Sequence, residues 1–193
     1  MRLAFSFRFF GVSICPQQIE CEMVRLGEFV SKRKPKCVVE IGTAEGGTLF
    51  SFSKVSTPDA ILLSIDLRDL RVRRLLYESF GSDGQQIRLI RGDSQANATL
   101  GEVKRLLNGR RIDFLFIDGD HTYEGVKRDF ELYSPLVLTG GVVAFHDIVR
   151  FPPTEAYEEV NQFWEKIRRK YDGFEIVNNP NQVWAGIGVI QIP

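Results

Sequence analysis

Charge of one sign is missing from this chain: 25 Lys and Arg balance 25 Asp and Glu over 193 residues. A neutral chain has no global field to draw in nucleic acid or an anionic membrane, so neither is expected as a partner. The basic clusters at Lys32, Arg33, Lys34 and Lys36, and at Arg68, Arg71, Arg73 and Arg74, read as solvated helix ends and connections. Cysteine is scarce. Cys15, Cys21 and Cys37 show no CxxC or zinc-ligand spacing and leave an odd count, which fits reduced thiols in the cytoplasm. Nothing approaches the ~20 apolar residues a membrane helix needs. The opening MRLAFSFRFFGVSIC is interrupted by Arg8 and is followed by no small-residue cleavage site. Phosphate cradles are absent too: there is no Gly-Lys-Ser/Thr, and Gly42, Gly46 and Gly47 do not fit GxGxxG. No internal repeat or low-complexity tract occurs.

What is present is ordinary globular composition, 44% hydrophobic and 26% charged, enough for one α/β domain with a sizeable core. We expect a single domain over residues 1–193, with residues 1–35 forming an N-terminal docking segment and a helix. Phe5, Phe7, Phe9 and Phe10 could cover a sheet face or a second subunit, which leaves a homo-oligomer open. From Pro16 the spacing of Ile19, Met23, Leu26, Phe29 and Val30 predicts a helix with a basic end before Pro35.

Beyond residue 36 apolar runs and helical patterns alternate. Strands are predicted at 37–41, 60–66, 87–90, 112–117 and 142–145, then at 174–177 and 185–192 around the turn-rich NNPNQ. Helices are predicted from the glycine loop through Phe52, and over 72–80, 100–107, 123–136 and 155–171, with Gly140-Gly141 closing the fourth of these. Alternation of this kind predicts an α/β, doubly wound, mostly parallel sheet whose closing pair adds at one edge.

The chain is organised around IDFLFIDGDHTY, Ile112 to Tyr123. An apolar strand buried on both faces breaks there into Asp118, Gly119, Asp120 and His121, and ligand crevices of open α/β sheets lie beyond the carboxyl ends of strands. Glu40, Asp66 and Asp93 stand at the ends of other strands. Four acids on one sheet edge suit a ligand rich in donors or positive charge and would repel a pyrophosphate. S-adenosylmethionine carries the matching groups: an ammonium, a sulfonium, a ribose diol, an adenine and one carboxylate.

VVEIGTAEGG, the strand ending at Asp66, RGDS, FIDGDHTYEGVKRDFELY and GGVVAFHDI together resemble the class I S-adenosylmethionine-dependent methyltransferases. Within them the chain is most similar to the branch holding cephalosporin hydroxylase-like and macrocin-type O-methyltransferases, related to catechol O-methyltransferases. The resemblance covers roughly Gln17 to Asp147. It implies a seven-stranded Rossmann-like methyltransferase sheet with an antiparallel last strand. It also implies Glu40 and the loop of Gly42, Thr43, Gly46 and Gly47 at the methionine end, Asp66 on the ribose, Asp93 and Ser94 near the adenine, and Asp118 bordering the cofactor.

For catalysis the resemblance implies a divalent metal, Mg or Mn, held by Asp118, His146 and Asp147. His146 stands where catechol-type relatives carry an oxygen ligand. It would shift the preference toward Mn, Fe or Zn, stand outside the ligand set, or mark a site without metal. A sulfonium methyl is already electrophilic, so the protein must align an acceptor oxygen and take its proton. His121, or Asp120 through a water, is the expected base. The expected reaction is O-methylation of a small hydroxylated acceptor, a sugar or a phenol. Two rivals remain: a non-catalytic S-adenosylmethionine-binding protein, and an NAD-dependent dehydrogenase. The latter draws on Asp66 and on the Tyr-x3-Lys spacing of Tyr123 and Lys127, which falls after the wrong strand.

Overall fold

A computed structural model describes residues 7–9, 12–70, 73–150 and 159–193. The chain opens with an antiparallel pair, β1 (Phe7–Phe9) and β2 (Val12–Ile14), followed by α1 (Glu20–Arg33). Seven further strands form one sheet: β3 (Cys37–Ile41), β4 (Ile61–Asp66), β5 (Gln86–Arg91), β6 (Ile112–Ile117), β7 (Val137–His146), β8 (Gly173–Ile176) and β9 (Ile187–Gln191). Their spatial order is β5-β4-β3-β6-β7-β9-β8. The first five in that order are parallel, and β9 runs antiparallel to both β7 and β8. The expected doubly wound, mostly parallel sheet is therefore present. The closing pair adds at the β7 edge as expected, with β9 between β7 and β8.

Residue alternation assigns each side of the sheet to one helical layer. Phe114 and Phe116 of β6 point with Val38 toward α1, α2 (Gly47–Val55) and α3 (Arg74–Glu78). Phe52 of α2 meets both rings edge-on, at centroid distances of 5.0 and 5.2 Å. Leu115 and Ile117 point the other way with Val39 and Ile41, toward α4 (Asn97–Leu107), α5 (Tyr123–Tyr133) and α6 (Val160–Ile167). Fully burying one such Leu, Ile or Phe is worth about 1.5–3 kcal/mol, so β6, buried on both faces, anchors the layers.

Local chemistry sets the element ends. Thr122 caps α5, its Oγ1 accepting from the Gly125 amide at 3.0 Å. α1 stops where Lys34 turns left-handed ahead of Pro35. Gly140 and Gly141 do not end a helix, as the sequence suggested. α5 ends at Tyr133, β7 already begins at Val137, and the two glycines lie inside it. There the β6–β7 register shifts, Gly140 takes φ 81°, and a Cβ on Gly141 would lie 2.6 Å from Val137. The pair makes an irregularity in a strand, a role glycine serves as readily as a helix stop. The basic helix expected over 72–80 is short, Arg74–Glu78, and of the helix expected over 155–171, residues 155–158 lie outside the described residues. So do Phe5 and Phe10. No helix among the described residues is long and apolar enough to cross a membrane.

Candidate active site

Because β3, β4, β5, β6 and β7 are parallel, their carboxyl ends share one edge. A cavity of about 540 Å³ opens there, with Gly42, Asp66, Asp93, Ser94, Asp118 and His121 among its lining residues. Gly42 holds the narrowest contact in the wall. Its φ is 94°, and a Cβ there would fall 1.9 Å from the Asp118 carbonyl oxygen. Asp66 is partly spent on the same loop: its Oδ2 accepts from the Thr43 and Ala44 amides at 3.1 and 2.9 Å, and its Oδ1 from the Arg68 amide at 2.7 Å. Asp66 thus shapes the glycine loop and borders the cavity at once.

Ala44 of the same loop also lines the cavity. Glu40, Thr43, Gly46 and Gly47 are not among the residues lining the cavity. Gly46 lies under the Tyr77 ring, and Gly47 under the backbone of Cys15 and Pro16. Glu40 is fully buried because alternation along β3 sends it to the Val38 face, where it accepts from the Ser64 hydroxyl at 2.5 Å. Burial pushes its pKa up to about 7. The acids lining the crevice are therefore Asp66, Asp93, Asp118 and Asp120, with Glu40 behind the wall.

Four side chains meet where β6 and β7 end. Nδ1 of the buried His146 lies 3.2 Å from Asp118 Oδ1 and 3.1 Å from Asp147 Oδ2. His121, about one-third exposed, spans the same carboxylates from the solvent side, with Nε2 3.5 Å from Asp118 Oδ1 and Nδ1 3.4 Å from Asp147 Oδ2. Burial by itself would lower the pKa of His146. The Asp118 charge and hydrogen bonds to Asp118 and Asp147 outweigh it and raise the group to about 10. Burial likewise works against ionised Asp118, but the His146 charge and the hydrogen bonds of both imidazoles hold its carboxyl well below the usual range. Asp147 adopts φ 60°, a left-handed conformation that Asp tolerates better than most residues. Asp120 turns toward the α5 start, its Oδ1 accepting from the Thr122 amide at 2.9 Å and its carboxylate lying over Gly125.

The donor set suits a divalent cation. One ligand atom each from Asp118, His121 and Asp147 converge within 4.8 Å of one another. Two carboxylate oxygens and an imidazole favour Mn, Fe or Zn over Mg. His146, expected among the ligands, sits behind the carboxylates, and its buried Nε2 has no hydrogen-bond partner among the described residues.

Two residues at the site carried no sequence signal. Gln18, at the entry to α1, donates from Nε2 to Asp118 Oδ2 at 2.5 Å, and its own buried Oε1 has no partner among the described residues. Asp129 of α5 is fully buried and accepts the Ser94 hydroxyl at 2.7 Å. In sequence it reads only as a polar interruption of the buried stripe that Val126, Phe130 and Tyr133 make on α5.

Residues 39–148 match the family described as a methyltransferase domain. An uncharacterized protein of Acanthamoeba polyphaga mimivirus is 32% identical over 166 residues, covering 78% of this chain and 72% of that protein. An uncharacterized protein of Sinorhizobium fredii is 26% identical over 152 residues, 69% of this chain but 15% of that longer protein. Among solved structures, the O-methyltransferase TomG of Streptomyces achromogenes, in complex with SAM, superposes with a TM-score of 0.64 at 16% identity, covering 93% of this chain and 84% of that one. An O-methyltransferase of Bacillus cereus in complex with SAH gives 0.64 at 15% identity, with 91% and 84% coverage. These two likenesses concern the fold.

Proposed function

The chain belongs to the methyltransferase-domain family, and from that premise we propose that it is an S-adenosylmethionine-dependent O-methyltransferase acting on a hydroxyl of a small molecule. The carrying observation is that the matched stretch, residues 39–148, builds the cavity wall from Ile41 to His121 and, beside it, the cluster that Asp147 completes. A crevice with four acids on its wall and an imidazole at its edge suits a cationic cofactor beside a proton acceptor. Balanced net charge gives no support to a nucleic acid or membrane substrate.

S-adenosylmethionine supplies a sulfonium methyl, whose carbon–sulfur bond breaks as the acceptor oxygen bonds the carbon and the electron pair returns to sulfur. The chain's own part is to orient the oxygen and accept its proton. His121 takes that proton on a ring nitrogen, and Asp118 and Asp147, each within 3.5 Å of the ring, stabilise the imidazolium that results. His146 holds the two carboxylates in place from the buried side. A divalent cation on Asp118, His121 and Asp147 would lower the pKa of a bound acceptor hydroxyl. The metal and His121-as-base readings compete for the same imidazole, and they are separated by whether turnover survives chelation.

The test is calorimetric titration with S-adenosylmethionine and, in parallel, with NAD, each with Mn²⁺ or with EDTA, followed by a methyl-transfer screen over phenols and glycosides. S-adenosylmethionine binding with transfer to a hydroxyl is expected. Binding without transfer to any acceptor leaves a cofactor-binding protein, and NAD binding in its place revives a dehydrogenase.

A further inference from the structure

Glu22, on α1, is fully buried and stands outside the cavity. An isolated buried carboxylate is costly unless donors surround it. Here its Oε1 accepts from the Asn178 amide at 2.9 Å and the Gln182 side chain at 2.8 Å, and its Oε2 from the Gly186 amide at 3.0 Å. All three donors belong to the connection between β8 and β9. Arg25 of α1 adds a bond to the Val177 carbonyl at 3.2 Å, and Gln182 Nε2 also donates to the Trp184 carbonyl at 2.8 Å. A surface connection held this firmly is a presentation device more than a linker.

What it presents is apolar. Val183 and Trp184 are adjacent and remain 55% and 44% exposed. The register of the sheet says where they stand. Ile187 pairs with His146 across β9 and β7, so the residues before Ile187 lie beyond the carboxyl end of β7, alongside Asp147. Hydrogen bonds fix that placement: the Val149 amide donates to the Ala185 carbonyl at 2.9 Å, and the Ile148 amide to the Gly186 carbonyl at 3.3 Å. Across the sheet edge the order is therefore the cavity over β5, β4, β3 and β6, then the Asp118–His121–Asp147 cluster, then the Trp184 connection.

Resting on the methyltransferase reading above, the acceptor must approach the cluster from the side away from the cofactor. We propose that Trp184, with Val183 beside it, is the acceptor-recognising platform, packing its indole on the flat apolar face of a ring-bearing hydroxyl compound. An aromatic ring and the C–H face of a pyranose offer the same stacking chemistry. Glu22 is the anchor that holds the platform against the reactive cluster.

The chain's two tryptophans make this measurable, because Trp164 is buried, so acrylamide quenching of fluorescence reports mainly on Trp184. The full chain is first saturated with S-adenosylhomocysteine, then titrated with catechol in one arm and methyl β-D-glucopyranoside in the other. Protection of Trp184 by one probe is expected, and which probe protects tells an aromatic acceptor from a sugar. Calorimetry should show Trp184→Ala binding that probe roughly tenfold more weakly, with Trp184→Phe restoring most of the affinity and cofactor affinity unchanged in both. Protection by neither probe in the cofactor-bound protein, or equal affinity for wild type and Trp184→Ala, overturns the platform. Failure of the wild type to bind S-adenosylhomocysteine or S-adenosylmethionine at all sinks the methyltransferase reading, and the platform with it, at a step before any probe is added.

Discussion

The side-chain amide of Gln18 donates to Oδ2 of Asp118 at 2.5 Å, joining residues 100 positions apart in the chain. Hydrogen bonds to charged groups contribute about 1.5–3 kcal/mol, and this one fixes the carboxylate that borders both the cavity and the histidine cluster. Gln18→Ala is expected to weaken S-adenosylmethionine binding roughly tenfold and to lower Tm. Gln18→Glu should do more harm, because it sets a second carboxylate against Asp118. Calorimetry and thermal unfolding check both, and an unchanged affinity in Gln18→Glu would remove Gln18 from the site.

Metal use separates cleanly at Asp147. Asn tolerates a φ of 60° as well as Asp does, so Asp147→Asn removes the charge without straining the backbone. If the cluster holds a cation, Mn²⁺ at ~100 times its Kd raises wild-type stability by about 2.7 kcal/mol, seen as a higher Tm. Asp147→Asn and Asp118→Asn should both lose that shift. Full turnover of Asp147→Asn in EDTA would assign the chemistry to His121 alone.

Much of the architecture was legible in the residues because the signals were redundant. β3, β4 and β6 read as short, largely apolar runs, and Asp66, Asp93 and Asp118 mark where strands meet the crevice. Other features depend on which face a residue takes or on distant chain. Glu40 carries the same end-of-strand signature as Asp118, yet the register sets it level with Phe116, still inside β3 and turned into the core against Ser64. Gly140 and Gly141 read equally well as a helix stop and as a strand irregularity, and only the pairing of β7 with β6 decides. Gln18 and Glu22 belong to a segment whose periodicity reports packing alone. Their partners lie 100 to 164 residues away, so no local pattern could reveal them.

The pH dependence of stability follows from buried groups. Burial pushes Asp129 from an ordinary value of 3.8 up to about 7, with the Asp120 and Asp93 charges adding and the Ser94 hydrogen bond opposing. Its folded pKa lies above its unfolded one, so the native state binds the extra proton. Its contribution is complete below pH 3.8 and is lost as pH rises through about 7. Glu40 acts in the same direction from 4.5 to about 7. His146, raised from 6.5 to about 10, extends the loss to higher pH. Asp118 has the opposite sign and loses its contribution only as pH falls below the usual carboxylate range. Asn at position 129 imitates the neutral acid and keeps an acceptor for Ser94. Asp129→Asn should therefore flatten part of the decline from pH 5 to pH 8 and exceed the wild type by about 1–2 kcal/mol above pH 7. Urea unfolding of both proteins across that range is the check, and parallel curves would contradict it.

Glu22 offers a graded test of the anchor. Glu22→Ala strands the Gly186 amide, takes one of two acceptors from the Asn178 amide and from Gln182 Nε2, and leaves a void where a buried side chain stood. The stranded donor costs about 1–3 kcal/mol and the void adds to it, so this variant should lose several kcal/mol in urea unfolding. Glu22→Gln retains an oxygen for the two donors now on Oε1, but turns an amide N–H toward the Gly186 amide. Its loss should be about one donor's worth, placing it between wild type and Glu22→Ala. The same order should appear in fluorescence, because releasing the β8–β9 connection frees Trp184: acrylamide quenching should be greatest in Glu22→Ala, measured well below its unfolding midpoint. A destabilised Glu22→Ala that quenches like the wild type would mean the connection keeps its place without the carboxylate, and that α1 supports the fold there without holding Trp184 to the site.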